Sequence, residues 1–130
     1  MKKRQKKIGR IIVPKKTLVQ PHELSVAMIL SWTGDDVEFI PAMNNCITPD
    51  IKYKGLEWEI KSPIGNSSRT IENNMRLAIR QSKNIIIDLQ RIKLPSEKCL
   101  GVIGRRAEKL GKRYRVMAIT KDRKIIRFFS

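Results

Sequence analysis

In the middle of this 130-residue chain stands Pro49-Asp50, then eight residues, then Glu59-Ile60-Lys61. Strand side chains alternate between faces, so Leu56, Trp58 and Ile60 fall on one side and Glu57, Glu59 and Lys61 on the other. With Lys54-Gly55 as the central residues of a tight turn, Tyr53 pairs with Leu56, Lys52 with Glu57, Ile51 with Trp58 and Asp50 with Glu59. That register matches apolar face to apolar face and sets two carboxylates opposite each other, roughly 5 Å apart. Like charges so placed are destabilising, and what offsets this is chemistry. Two carboxylates are oxygen ligands for a hard cation, Mg²⁺ or Mn²⁺, and a lysine beside them fixes positive charge near an attacked phosphate. Lys61 would orient or activate the attacking water, or stabilise charge building on the phosphorane. By alternation alone, the same residues also describe a solvated strand face.

The elements that must position these groups can be read from spacing. Pro21 suits a first helical turn, and Leu24, Ala27, Met28 and Ser31 recur at helical intervals until Gly34, which predicts a helix with those residues inward. Glu23, in its first turn, shares a face with Val26, Ala27 and Leu30 and so points inward, although an acid there is also favoured by the helix dipole. Strands follow at Val37–Ile40, Ile51–Tyr53 and Leu56–Ile60. A polar loop from Ser62 to Ser68 leads to a helix over Arg69–Ser82, with Ile71, Met75, Ala78 and Ser82 inward. The three isoleucines of Asn84–Leu89 suit a strand buried on both faces, in mid-sheet. Leu100, Ile103, Ala107 and Leu110 keep helical spacing over Pro95–Gly111, and Arg115–Thr120 and Lys124–Phe129 read as two final strands. Strands interleaved with helices predict an α/β domain with a central mixed sheet flanked by helices.

The chain is one domain by length. Residues 1–19 read as a basic N-terminal arm and 20–130 as the folded domain. Lys and Arg number 28 against 12 Asp and Glu, a formal charge of +16, which attracts polyanions. No stretch nears the ~20 apolar residues that span a bilayer, and the apolar run after the arm is too short for a secretory signal. No membrane partner is expected. Cys46 and Cys99 lack metal-ligand spacing and read as reduced buried thiols.

The order of Glu23 on a helix, Pro49-Asp50, Glu59-X-Lys61, a helix and an apolar strand resembles the PD-(D/E)XK nuclease superfamily. More narrowly, Trp58-Glu59-Ile60-Lys61-Ser62-Pro63, Gly65-Asn66-Ser67, Thr70-Ile71 and Gln81-Ser82-Lys83-Asn84-Ile85-Ile86-Ile87-Asp88-Leu89 are similar to the C-terminal tRNA nuclease domains of contact-dependent growth inhibition toxins. The resemblance implies a restriction-endonuclease-like α/β fold. It also implies Glu23, Asp50 and Glu59 as metal ligands, Lys61 as catalytic lysine, and Asn66, Ser67 and Thr70, with Gln81 and Lys83 on the next helix, beside substrate phosphates. It implies RNA, and tRNA first, as substrate, a cytoplasmic site of action and room for a cognate immunity protein. Ser67 and Thr70 equally suit a helix cap. The Met1 start and basic arm depart from a toxin domain that ends a longer chain.

Two other functions remain open on the residues. A DNA endonuclease of the same superfamily shares every catalytic residue. A non-catalytic nucleic-acid-binding protein explains the charge but leaves Asp50 and Glu59 without a role, and no helix-turn-helix, zinc finger or aromatic stacking platform is evident.

Overall fold

The computed structural model describes residues 7–43 and 47–129; Met1–Lys6, Cys46 and the functions expected of them lie outside the described residues. The elements are β1 (Ile11–Ile12), α1 (Pro21–Ser31), β2 (Val37–Phe39), β3 (Ile51–Tyr53), β4 (Leu56–Lys61), α2 (Ser68–Ala78), β5 (Asn84–Asp88), α3 (Ser96–Leu110), β6 (Arg115–Ile119) and β7 (Ile125–Arg127). All seven strands join one sheet in chain order, β1 to β7. Pairs β1–β2, β4–β5 and β5–β6 are parallel and the others antiparallel, the expected mixed sheet.

The sheet is covered on both faces. Val26, Ala27, Ile29 and Leu30 of α1 pack with Val37, Phe39, Ile51, Trp58 and Ile60 on one side. Ile71, Met75 and Ala78 of α2 and Cys99, Val102 and Ile103 of α3 pack with Ile85, Ile87, Val116 and Ala118 on the other. β5 contributes Ile86 to the first core and Ile85 and Ile87 to the second, as a mid-sheet strand must.

The hairpin forms in the expected register: Ile51↔Trp58, Lys52↔Glu57 and Tyr53↔Leu56. Lys54 and Gly55 both take positive φ, 52° and 75°, the backbone of a turn whose twist matches the strands it joins.

Three readings are corrected. Leu24 and Met28 of α1 are exposed, at 40% and 45%, because Ile29 and Leu30 supply the inward face instead. α2 ends at Ala78, since the Ser82 hydroxyl donates to the Glu57 carbonyl at 2.8 Å and the following chain turns into β5. Ile11–Ile12, read within the basic arm, adds a short parallel strand to β2, tied down by Arg10, whose backbone and guanidinium donate to Asp36 at 2.8 and 2.9 Å.

Candidate active site

Glu59 and Lys61 project from β4 towards the face covered by α2, because Glu59 stands beside Ile85 and Lys61 beside Ile87 in the parallel pair, and both isoleucines belong to that core. The reading of a solvated strand face fails for Glu59, which is only 3% exposed. Lys61 Nζ lies 3.2 Å from Glu59 Oε2. Asp50 sits just before β3, where the ladder has ended. Its backbone N–H still donates to the Trp58 carbonyl at 2.9 Å, and its Oδ2 accepts from the Ile60 N–H at 2.8 Å. A side-chain oxygen thus takes the place of a backbone acceptor, which pins the Asp50 carboxylate against the middle of β4.

Glu59 Oε1 is buried and has no hydrogen-bond partner among the described residues. A buried carboxylate oxygen without a donor is costly. Burial first, and the neighbouring Asp50 charge next, against the opposing Lys61, together raise the Glu59 pKa to about 8. The pair of carboxylates with one uncommitted oxygen is the donor set a hard cation takes up. The third expected ligand stands apart. Glu23 Oε1 accepts from the Gln20 backbone N–H at 3.0 Å and completes a capping box at the start of α1. Among the described residues no group of three or more His, Cys, Asp or Glu side chains is placed to hold a metal.

The five expected substrate contacts divide into two groups. Asn66, Ser67 and Thr70 follow the C-terminal end of β4, where Ser67 Oγ caps α2 by accepting from the Arg69 N–H at 3.1 Å. Gln81 and Lys83 lie not on the helix, as expected, but in the turn before β5, level with Glu57, whose carbonyl accepts from both Ser82 and Asn84.

Sequence spacing missed Asp88, which ends β5 at 1% exposure. Its Oδ2 accepts from Ser62 Oγ at 2.9 Å, and its Oδ1 accepts from the Gln90 backbone and side-chain nitrogens at 3.1 and 3.0 Å. Gln90 reaches Ser25 on α1 at 3.3 Å, and Arg91 donates to the Ser62 carbonyl at 2.8 Å. A cavity of about 570 Å³ opens beside this network, bordered by His22. Parallel strands end here, the usual place for a site in an α/β sheet, and an acid closing an apolar run is the signal that points to it. The network joins the residue after Lys61 to the first turns of α1.

Residues 47–125, which include Asp50, Glu59, Lys61 and Asp88, match the family described as the contact-dependent growth inhibition CdiA C-terminal domain. The chain belongs to that family. Among solved structures, this chain is similar to a chain of the CdiA-CT/CdiI toxin and immunity complex from Burkholderia pseudomallei, with a TM-score of 0.68 and 19% identity over 90% of this chain and 97% of that one. At that identity the likeness is one of fold. No curated protein matches the chain. Among the described residues, no helix is long and apolar enough to cross a membrane.

Proposed function

We propose that this CdiA C-terminal domain is a toxin nuclease with PD-(D/E)XK chemistry, a metal-dependent endonuclease that hydrolyses phosphodiester bonds in RNA, tRNA first. The observation that carries the reading is Glu59: a buried carboxylate with an unpartnered oxygen, held between Asp50 and Lys61. A structural acid would be satisfied, as Asp88 is. Asp50 and Glu59 would hold a divalent cation, Mg²⁺ or Mn²⁺, and Glu23, which caps α1 and is not grouped with them among the described residues, would join as a third carboxylate only on leaving the Gln20 N–H.

Bound there, the cation supplies Lewis-acid charge to the phosphate and lowers the pKa of a water. The chain's own residues do the rest. Lys61 keeps an ammonium beside the reacting phosphate to align the water or neutralise developing charge. The backbone of Ile60 holds Asp50 in place. Asn66, Ser67 and Thr70 at one end of β4, and Gln81 and Lys83 at the other, are in reach of flanking phosphates. A folded RNA is favoured over duplex DNA by the dispersal of Arg76, Arg80, Arg105, Arg106, Lys109 and Lys112 over several elements, which suits reading by shape. The similar solved structure is named as a toxin with its immunity protein, and a cognate immunity protein is proposed here as well.

The test is incubation of purified protein with total tRNA and with plasmid DNA, in Mg²⁺ or EDTA. Cleavage of tRNA in Mg²⁺ alone is expected, with loss in Asp50→Ala. Preferential nicking of plasmid would move the assignment to DNA, and cleavage in EDTA would remove the metal.

A further inference from the structure

No segment of the sequence carries an aromatic stacking platform, yet the fold assembles one. The chain has two Trp, two Tyr and three Phe. Phe39, Tyr53 and Trp58 are buried in the core, and Trp32 is exposed beside α1. The other three, Tyr114, Phe128 and Phe129, are half-buried and border one cavity of about 610 Å³. Gly111, at φ 81°, ends α3 and turns the chain back, which brings Tyr114 to the start of β6. The Phe128 N–H donates to the Val116 carbonyl at 2.9 Å, so the two phenylalanines prolong β7 alongside β6. Both rings are held in place. Phe129 leans on Trp58 with 6.3 Å between ring centroids, and Phe128 lies across Gly104 of α3, where a Cβ would stand 3.5 Å from its ring.

We propose that this cavity takes up an unpaired base from a single-stranded segment of RNA, stacked on the aromatic rings with its flanking phosphates on Lys112 and Arg115. The volume lies in the range of roughly 300–1,000 Å³ in which small organic groups are bound. Aromatic faces stack on any base, and single-stranded loops and ends are where RNA offers bases to them. Lys112 and Arg115 line the same cavity, are exposed and form no ion pair among the described residues, so their charge is free for phosphate. Glu108, the one acid of the lining, repels phosphate but accepts a hydrogen bond from the exocyclic amino group of cytosine. The place suits a substrate reaching the candidate active site. Glu59, Ile85, Val116 and Phe128 stand in one row across the sheet, which sets Phe128 about three strand spacings, roughly 14 Å, from Glu59. Between them, the Arg115 N–H donates to the Lys83 carbonyl at 2.8 Å, joining the cavity to the turn proposed to meet phosphates. The proposal rests on RNA as the ligand and not on its cleavage.

The experiment is fluorescence anisotropy in EDTA with a short labelled oligocytidylate and, as a probe of equal charge, an abasic sugar-phosphate chain of the same length. The readout is binding, so it succeeds or fails separately from cleavage, and Asp50→Ala should bind as the wild type does. Wild type binds the oligocytidylate at least about tenfold more tightly than the abasic chain, the size of one stacked base. Tyr114→Leu removes most of that gap and Tyr114→Phe keeps it, while Trp32→Leu, beside α1, leaves it unchanged. Lys112→Ala instead lowers the slope of log affinity against log salt by about 0.7, a slope that Tyr114→Leu does not alter. With no variant at all, ultraviolet crosslinks from the bound oligocytidylate map to Tyr114, Phe128 or Phe129. Equal binding of the abasic chain, a gap untouched in folded Tyr114→Leu, or crosslinks confined to other surfaces would each overturn the proposal.

Discussion

Two acids sit on neighbouring parallel strands of one sheet, Glu59 on β4 and Asp88 on β5, at 3% and 1% exposure, and the fold treats them in opposite ways. Asp88 accepts from a hydroxyl and two nitrogens, so its burial is matched by hydrogen bonds. Glu59 has Lys61 at one oxygen, no hydrogen-bond partner among the described residues at the other, and a second carboxylate beside it. A buried polar group that is satisfied holds a structure together; one left unsatisfied weakens it unless something binds there. Asp88 ties α1 to β4 and β5, and Glu59 is the group proposed for chemistry.

The largest effect expected is on catalysis. Glu59→Gln and Lys61→Ala each lower Mg²⁺-dependent tRNA cleavage by about a thousandfold, equivalent to ~4 kcal/mol of transition-state stabilisation. tRNA binding by Lys61→Ala, measured by filter retention, stays near wild type because affinity comes from many dispersed cations. Undiminished cleavage by Lys61→Ala would place the chemistry elsewhere.

Stability should invert the ranking. Asp88→Ala strands the Ser62 hydroxyl and the Gln90 nitrogens, and costs about 2–3 kcal/mol in urea unfolding. Without metal, Glu59→Gln is at least as stable as wild type, since it removes a repulsion and keeps the shape. Equal destabilisation by both would erase the contrast between the two acids.

pH sharpens it further. With a native pKa of about 8 against an ordinary value of 4.5, Glu59 keeps its proton in the folded chain where the unfolded chain has lost it. Its stabilising contribution is full below the ordinary value and disappears as pH rises through about 8. In EDTA the wild-type melting temperature should therefore fall between about pH 5 and pH 9, and Glu59→Gln should flatten the decline. Mg²⁺ restores the wild type by RT ln(1 + [L]/Kd), about 2.7 kcal/mol at a hundredfold excess, and restores the variant less. Parallel pH profiles would mean that Glu59 is not the group responsible.

The smallest expected effect concerns Glu23, which caps α1 and is proposed to join the metal. Glu23→Gln keeps an acceptor for the Gln20 N–H, so stability should change by less than ~0.5 kcal/mol while cleavage falls by about tenfold. Unchanged cleavage would leave Glu23 with the cap alone.

What the sequence determined by itself is local. Lys54-Gly55 admits the turn without being the strongest pair for it, alternation places Glu59 and Lys61 on one face, and both readings hold because turn geometry and strand period act over a few residues. Three consecutive isoleucines likewise announce a strand buried on both faces. Tertiary structure decided everything that depends on what arrives from far along the chain. Helical spacing pointed both the Leu24–Met28 stripe and the Val26–Leu30 face of α1 inward, and the sheet covers only the second, leaving Leu24 and Met28 outward. The end of α2 rested on a Glu57 carbonyl 25 residues before Ser82. Alternation left Glu59 free to be solvated, and only the packing of α2 and β5 against β4 buried it, with no donor to its Oε1 among the described residues.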